Sequence, residues 1–126
     1  MKTYKHIEKE LKKLKGFRNK IQNLVMPSHW TEEGVEQPNE LSKANATKIC
    51  EEFYFGFGEP NFIAATKENG VYISYRGKSE CSIIIEAYND GIICILVHQD
   101  DNQEMFGYEY ERIDDFLNRK YVHETY

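Results

Sequence analysis

The chain has 126 residues, 40% of them hydrophobic and 13% aromatic, and a formal charge of −5. That length suits one hydrophobic core, so a single domain over residues 1–126 is expected, and the apolar content excludes a chain dominated by disorder. The net charge conceals a division: residues 1–20 hold eight Lys/Arg and two Glu, a local +6, whereas residues 21–126 hold eight Lys/Arg and nineteen Asp/Glu, a local −11.

The amino end, MKTYKHIEKELKKLKG, is charged throughout and lacks the continuous apolar run of a signal peptide. The longest apolar stretch, GIICILV at 91–97, suits a buried strand and is too short to span a membrane. The expectation is a cytoplasmic protein without a membrane partner. Residues 5–26 form the first predicted helix, because Ile7, Leu11, Leu14, Phe17, Ile21, Leu24 and Val25 recur at three- and four-residue steps and leave most lysines outward. Gly16 weakens it by about 1 kcal/mol, little beside the burial of several large residues, and Pro27 is the expected stop.

The stretch MPSHWTEEGVEQPNEL, residues 26–41, carries the chain's only tryptophan. Its Trp30 is read first as packing over the sheet or between the first two helices, pinning the connection to the core. Asn39 is the expected cap of a second helix over residues 40–54, with Leu41, Ala44, Ile49, Cys50 and Phe53 on its buried face. FYFGFGEP ends it, at Gly56 or Gly58.

From Asn61 the period becomes two. Phe62, Ala64 and Thr66 share one face of a strand, and Val71, Ile73 and Tyr75 share a face of the next; a two-residue Asn69-Gly70 turn sets Thr66 opposite Ile73 and Ala64 opposite Tyr75. ECSIIIEAY and GIICILVHQ follow, with Asp90-Gly91 as turn, so that Ile83, Ile85 and Ala87 join Cys94, Leu96 and His98 on one face while Ile84 joins Ile93, Ile95 and Val97 on the other. Apolar residues on both faces predict cover on each side. FGYEYE is a fifth strand, and residues 112–120 a short helix with Ile113, Phe116 and Leu117 inward and Asp114 and Asp115 at its positive end. The fold class is therefore α+β: two N-terminal helices, a four- or five-stranded mainly antiparallel sheet, and a short C-terminal helix.

Motifs that carry chemistry are sparse. Cys50, Cys81 and Cys94 are odd in number and lack a CxxC pair, which favours buried thiols over disulfides. His6, His29, His98 and His123 have no zinc spacing, FGFG has neither phosphate-loop spacing nor context, and no cofactor or metal is expected. Asp100-Asp101 and Glu104 fit a solvated loop better than an acid-base pair. Two surfaces remain for binding. One is Trp30 with His29, Glu32, Glu33 and Glu36; the other is Phe55 and Phe57, if exposed together, with Asp100 and Asp101 as a further acidic edge. The N-terminal lysines, Lys2, Lys5, Lys9, Lys12, Lys13, Lys15, Lys20 and Arg18, fit a solvated helix face or phosphate contacts.

Residues 30–38, WTEEGVEQP, followed by a helix and then EPNFIAATKENGVYISYRGKSECSIIIEAYNDGIICIL, resemble a group of small, mostly uncharacterised bacterial α+β proteins. The resemblance covers residues 28–98 and rests on Trp30, Gly34, Pro38, Pro60 and Gly70, with Tyr75 standing where that pattern often has tryptophan. It implies the same order of helices and antiparallel strands and supplies no catalytic residue.

The leading expectation is a non-enzymatic protein-binding regulator, inhibitor or antitoxin-like, that engages a basic protein; self-association remains open. The alternatives are a nucleic-acid binder using the N-terminal lysines and an enzyme with a site around Cys81, Cys94, His98 or Asp100-Asp101.

Overall fold

The computed structural model describes residues 4–76, 81–99 and 104–118, with side chains from Ile7 onward except those of Phe55, Gln99 and residues 104–106. Helix α1 spans Tyr4–Gln22, a 3-10 turn spans Ser28–Glu33, and α2 spans Glu40–Phe57. Strands β1 Phe62–Thr66, β2 Gly70–Arg76, β3 Cys81–Tyr88, β4 Ile93–Gln99 and β5 Glu104–Tyr110 follow, then α3 Ile113–Asn118. The strands lie in chain order in one sheet, every pair antiparallel, and the fold is the α+β meander that the periodicity predicts.

Helix α1 stops at Gln22, short of Pro27. Carbonyls of its last turn are taken: the Asn23 backbone and side-chain nitrogens both donate to Asn19 O, Leu24 N turns to Ile21 O at 3.1 Å, and from α2 Lys43 Nζ donates to Gln22 O at 2.8 Å. Pro27 instead opens the 3-10 turn, where its carbonyl accepts from Trp30 N. Phe17 and Ile21 are buried and Leu14 and Leu24 pack beside them, but Ile7, Leu11 and Val25 are 46%, 53% and 75% exposed. At about 100° per residue, Ile7 and Leu11 lie roughly 40° and 80° around the helix from Ile21, so they belong to the same broad stripe and are exposed on the turns that precede Phe17.

Helix α2 is capped as expected. Asn39 accepts from Ser42 N at 2.9 Å, and Ser42 Oγ accepts from Asn39 N at 3.1 Å, a reciprocal box that satisfies two end groups. The buried face is Ser42, Asn45, Ala46, Ile49, Cys50, Phe53 and Tyr54, whereas the expected Leu41 and Ala44 face solvent. The helix runs through Gly56 to Phe57 and ends at Gly58, whose φ of 74° only glycine adopts freely and whose N–H reaches Tyr54 O at 2.7 Å. Asn39→Ala removes the cap and a bond from Asn39 Nδ2 to Asn89 O; an expected loss of about 1–2 kcal/mol is readable as a lower urea midpoint at unchanged m-value.

The register differs from the expected one in both hairpins. Thr66 pairs with Gly70, Ala65 with Val71 and Ile63 with Ile73, so the β1–β2 loop has three residues, with Asn69 in the left-handed conformation at φ 66°. Ile63 and Ala65, not Phe62, Ala64 and Thr66, therefore share the side of Val71, Ile73 and Tyr75. Between β3 and β4 the loop is Asn89–Ile92, closed by Tyr88 N to Ile92 O at 2.9 Å. Ile83, Ile85 and Ala87 consequently pair with Val97, Ile95 and Ile93. A one-residue slip in pairing sends every side chain to the other face.

The result is one strongly buried face. Val71, Ile73, Ile83, Ile85, Ala87, Ile93, Ile95 and Val97 are inaccessible, and together with Phe17, Ile21, Ile49, Phe53 and Phe116 they form one core against the three helices. Ile113 and Leu117 pack beside Phe116, as the short C-terminal stripe predicts. The opposite face, expected to be covered, has no helix over it among the described residues. Its side chains at Ala64, Tyr72, Ser74, Ile84, Glu86, Cys94 and Leu96 are half-buried, and Phe62 is 56% exposed.

Two buried polar groups meet inside the core. Among the described residues the Tyr75 hydroxyl has no hydrogen-bond partner, and it lies beside the Cys50 thiol; burial pushes that thiol up to about 11 and pushes the phenol upward as well. Both are neutral in the folded protein over a range where the unfolded chain ionises. Stability from Cys50 is thus fully present below about pH 9 and is lost as pH rises to about 11, with Tyr75 extending the loss. Urea midpoints measured from pH 8 to 11 should fall, and Cys50→Ala should flatten the first part of that fall.

Candidate functional site

The connection between α1 and α2 is held by asparagines rather than by tryptophan. Asn89 Oδ1 accepts from Asn39 N at 3.0 Å while its Nδ2 donates to Gln37 O at 2.9 Å, and Asn69 Oδ1 accepts from Glu36 N at 2.7 Å. Both hairpin loops are thereby tied to residues 36–39, and Asn89 N donates to Asn69 O at 2.8 Å to join the loops themselves. Pro38 is buried beneath this lattice.

Trp30 is half-buried and belongs to no core cluster. Its ring carries Lys67 Nζ at 5.5 Å, and Lys67 also pairs with Glu33 at 3.2 Å. A shallow depression of about 430 Å³ brings Trp30 together with Phe62, Ala64, Thr66, Tyr72 and Glu86. The indole therefore extends the open face past the edge strand β1 and does not lie between the helices.

That face is organised in cross-strand rows. One row runs Ala64, Tyr72, Glu86, Cys94, Glu109 across all five strands; the next runs Phe62, Ser74, Ile84, Leu96, Gly107. Carboxylates thus border a strip of aliphatic and aromatic side chains. Glu86 is held in place by the hydroxyls of Tyr88, which donates a short bond, and Thr66 at 3.4 Å. Burial, followed by the bond to Glu86, pushes the Tyr88 phenol upward. Burial and then the charges of Glu86 and Glu109 push the Cys94 thiol upward, so it is protonated at neutral pH and is a poor nucleophile there.

At the loop end of the face a cavity of about 560 Å³ is lined by Glu36, Glu68, Asp90 and Glu109 together with Tyr88 and Cys94. Among the described residues no lysine or arginine contributes to its lining. Glu86 and Glu109 of the first row thus join the carboxylates of this cavity on one side of the apolar row, while Arg76 of β2 stands on the other side and Lys67 at the Trp30 edge.

No family model, curated protein or solved structure matches this chain. Its function has to be argued from its own geometry.

Of the residues the sequence singles out, the structure brings Trp30, Glu33 and Glu36 to the open face or its rim. Glu32 is exposed on the same 3-10 turn. Phe57 is not part of an exposed patch: it stacks on Phe53 at 5.3 Å and meets Tyr75 at 5.8 Å. The Phe55 side chain and Asp100 and Asp101 lie outside the described residues. Cys81 and His98 of the enzyme alternative lie on different faces, because Cys81 is buried on the helix side opposite Gln99 while His98 pairs with Ser82 on the open side. Among the described residues no three of His, Cys, Asp and Glu converge as a metal-ligand group, and no helix is long and apolar enough to cross a membrane.

Sequence reasoning missed Tyr72, Glu86, Tyr88, Glu109 and the pair Glu68 and Asp90. The signal was present as alternation, since Tyr72, Ile84, Glu86 and Leu96 occupy every second position of their strands. It becomes readable only with the correct register.

Proposed function

We propose that this chain is a non-catalytic protein-binding regulator, inhibitor or antitoxin-like, whose open sheet face receives a basic protein. The observation that carries this reading is the row Tyr72, Glu86, Cys94, Glu109 beside the apolar row Phe62, Ile84, Leu96, on a face that no described helix covers. Five strands at about 4.8 Å spacing and seven residues at about 3.3 Å give a platform of roughly 19 by 23 Å. That supplies the centre of a standard interface of about 800 Å² per partner, and Trp30 and the acidic cavity extend it. Apolar contact provides most of the affinity in such an arrangement, while the carboxylates raise the association rate and select the sign of the partner.

The test is affinity capture from native host lysate with wild type, the face variant Glu86→Lys/Glu109→Lys, and the control Glu52→Lys on the solvent side of α2. A stoichiometric basic protein retained by wild type and control, released at raised ionic strength and not captured by the face variant is the expected result. Equal capture by the face variant rejects the reading. Far-UV circular dichroism verifies that the variants fold.

A further inference from the structure

We propose that the open sheet face of one copy receives helix α1 of a second copy, so that the chain self-associates through its own charge division. This rests on the reading of that face as a receptor for basic protein surfaces and names such a surface: this chain's own helix.

The first observation is an unpartnered stripe on α1. Phe17 and Ile21 pack toward α2, with Phe17 against Tyr54 at 6.2 Å and Arg18 paired to Glu51 at 2.6 Å. Ile7 and Leu11, on the turns that precede Phe17, are 46% and 53% exposed. A depression of about 300 Å³ along the stripe is lined by Leu11 and Leu14 with Lys12, Lys15 and Arg18, and by Glu8. An apolar strip around Leu11 beside Lys12 and Lys15 is what α1 leaves exposed after it has packed in its own copy, Arg18 being paired to Glu51.

The second observation is the complement: an apolar strip of Phe62, Ile84 and Leu96 bordered along one side by Glu86 and Glu109, with Arg76 on the row beyond its other side. Each surface offers what the other lacks, in both apolar content and sign of charge. The dimensions agree. Residues Ile7 to Arg18 make about 17 Å of helix at 1.5 Å per residue, matching the roughly 19 by 23 Å of the platform.

Within one copy the two surfaces cannot meet. The α1 helix lies in the layer that covers the buried side of the sheet, and the acidic strip is on the other side. The contact is therefore between copies, either as a reciprocal pair in which each helix lies on the other's sheet or as a head-to-tail series. A foreign basic protein on the same face would displace it.

Sedimentation velocity at low and raised ionic strength tests this with two reversals. The sheet variant is Glu86→Lys/Glu109→Lys, which makes both surfaces basic; the helix variant is Lys12→Glu/Lys15→Glu, which makes both acidic. Wild type should sediment at low ionic strength as a species larger than the 14.9 kDa chain and dissociate as salt rises. Each variant alone should be monomeric, and an equimolar mixture should associate again, because the reversed sheet matches the reversed helix and the native pair is also present. A monomeric wild type at low ionic strength overturns the proposal, as does a mixture that stays monomeric or a variant that associates alone as wild type does. The receptor reading fails separately, when the sheet variant still captures the foreign basic protein.

Discussion

Gly70→Ala is expected to cost at least about 3 kcal/mol, a far larger effect than the same substitution has at an open helical site. A Cβ at residue 70 would stand 2.2 Å from the Ala87 carbonyl oxygen and 2.8 Å from Tyr88 Cα. These are backbone atoms of the neighbouring strand, so no side-chain rotation relieves the overlap, and β2 and β3 must separate where Gly70 pairs with Tyr88. The expected result is a large drop in the urea midpoint or loss of soluble folded protein. Gly16→Ala provides the contrast: apart from its chain neighbours and the backbone of its own helix, no described atom lies within 4 Å of its Cβ position on α1, and a gain of up to about 1 kcal/mol is expected. A loss below about 1 kcal/mol at Gly70 would sink the close-approach argument.

Phe53→Ala should cost about 3–5 kcal/mol. Phe53 is 3% exposed and its ring lies 5.3 Å from Phe57, 5.5 Å from Tyr75 and 5.8 Å from Phe116, joining α2 to the sheet and to α3. Ring contacts of this kind add to area burial, and the vacated space cannot close because Tyr75 and Phe116 are anchored from different elements. Against a total stability of about 5–15 kcal/mol for an ordinary domain, the loss is a large share. Amide exchange in α3 should accelerate more than in β3, since α3 docks through Phe116 alone among its fully buried side chains. Equal acceleration in both would show that α3 does not depend on this ring cluster.

These expectations rest on packing that the sequence discloses unevenly. The two helix stripes, the change from a period near 3.6 to a period of two, and Asn39 before Leu41 are local signals, and each placed an element in the correct order. Local reading was weaker at boundaries. Asn23 and Lys43 ended α1 before Pro27 did, and only one of those lies next to the helix end in sequence. On α2 the buried face includes Ser42 and Asn45, polar residues that an apolar stripe passes over. Exposed Leu41 and Ala44 took their place in the expectation.

The candidate surface shows the same division more sharply. Acidic charge on the body, the weakness of reaction motifs and the isolation of Trp30 were all readable before any fold was known. Which carboxylates act together was not, because Glu86 and Glu109 are 23 positions apart and meet across Cys94 only through two strand pairings. Trp30 joined them by wrapping the β1 edge. Phe57 left the candidate set because Phe53 and Tyr75 were there to receive it.

By itself the sequence determined the α+β class, the antiparallel order, the α2 cap and the opposition of a basic amino end to an acidic body, since periodicity, capping chemistry and charge act over a few residues or over the whole composition. Tertiary structure alone decided the faces of the strands. Loop lengths after β1 and β3 are set by Asn69 and Asn89 bonding to residues 36–39, contacts that span 33 to 52 positions. One residue more or less in either loop exchanges the buried and open sides, and with them every side chain available to a partner.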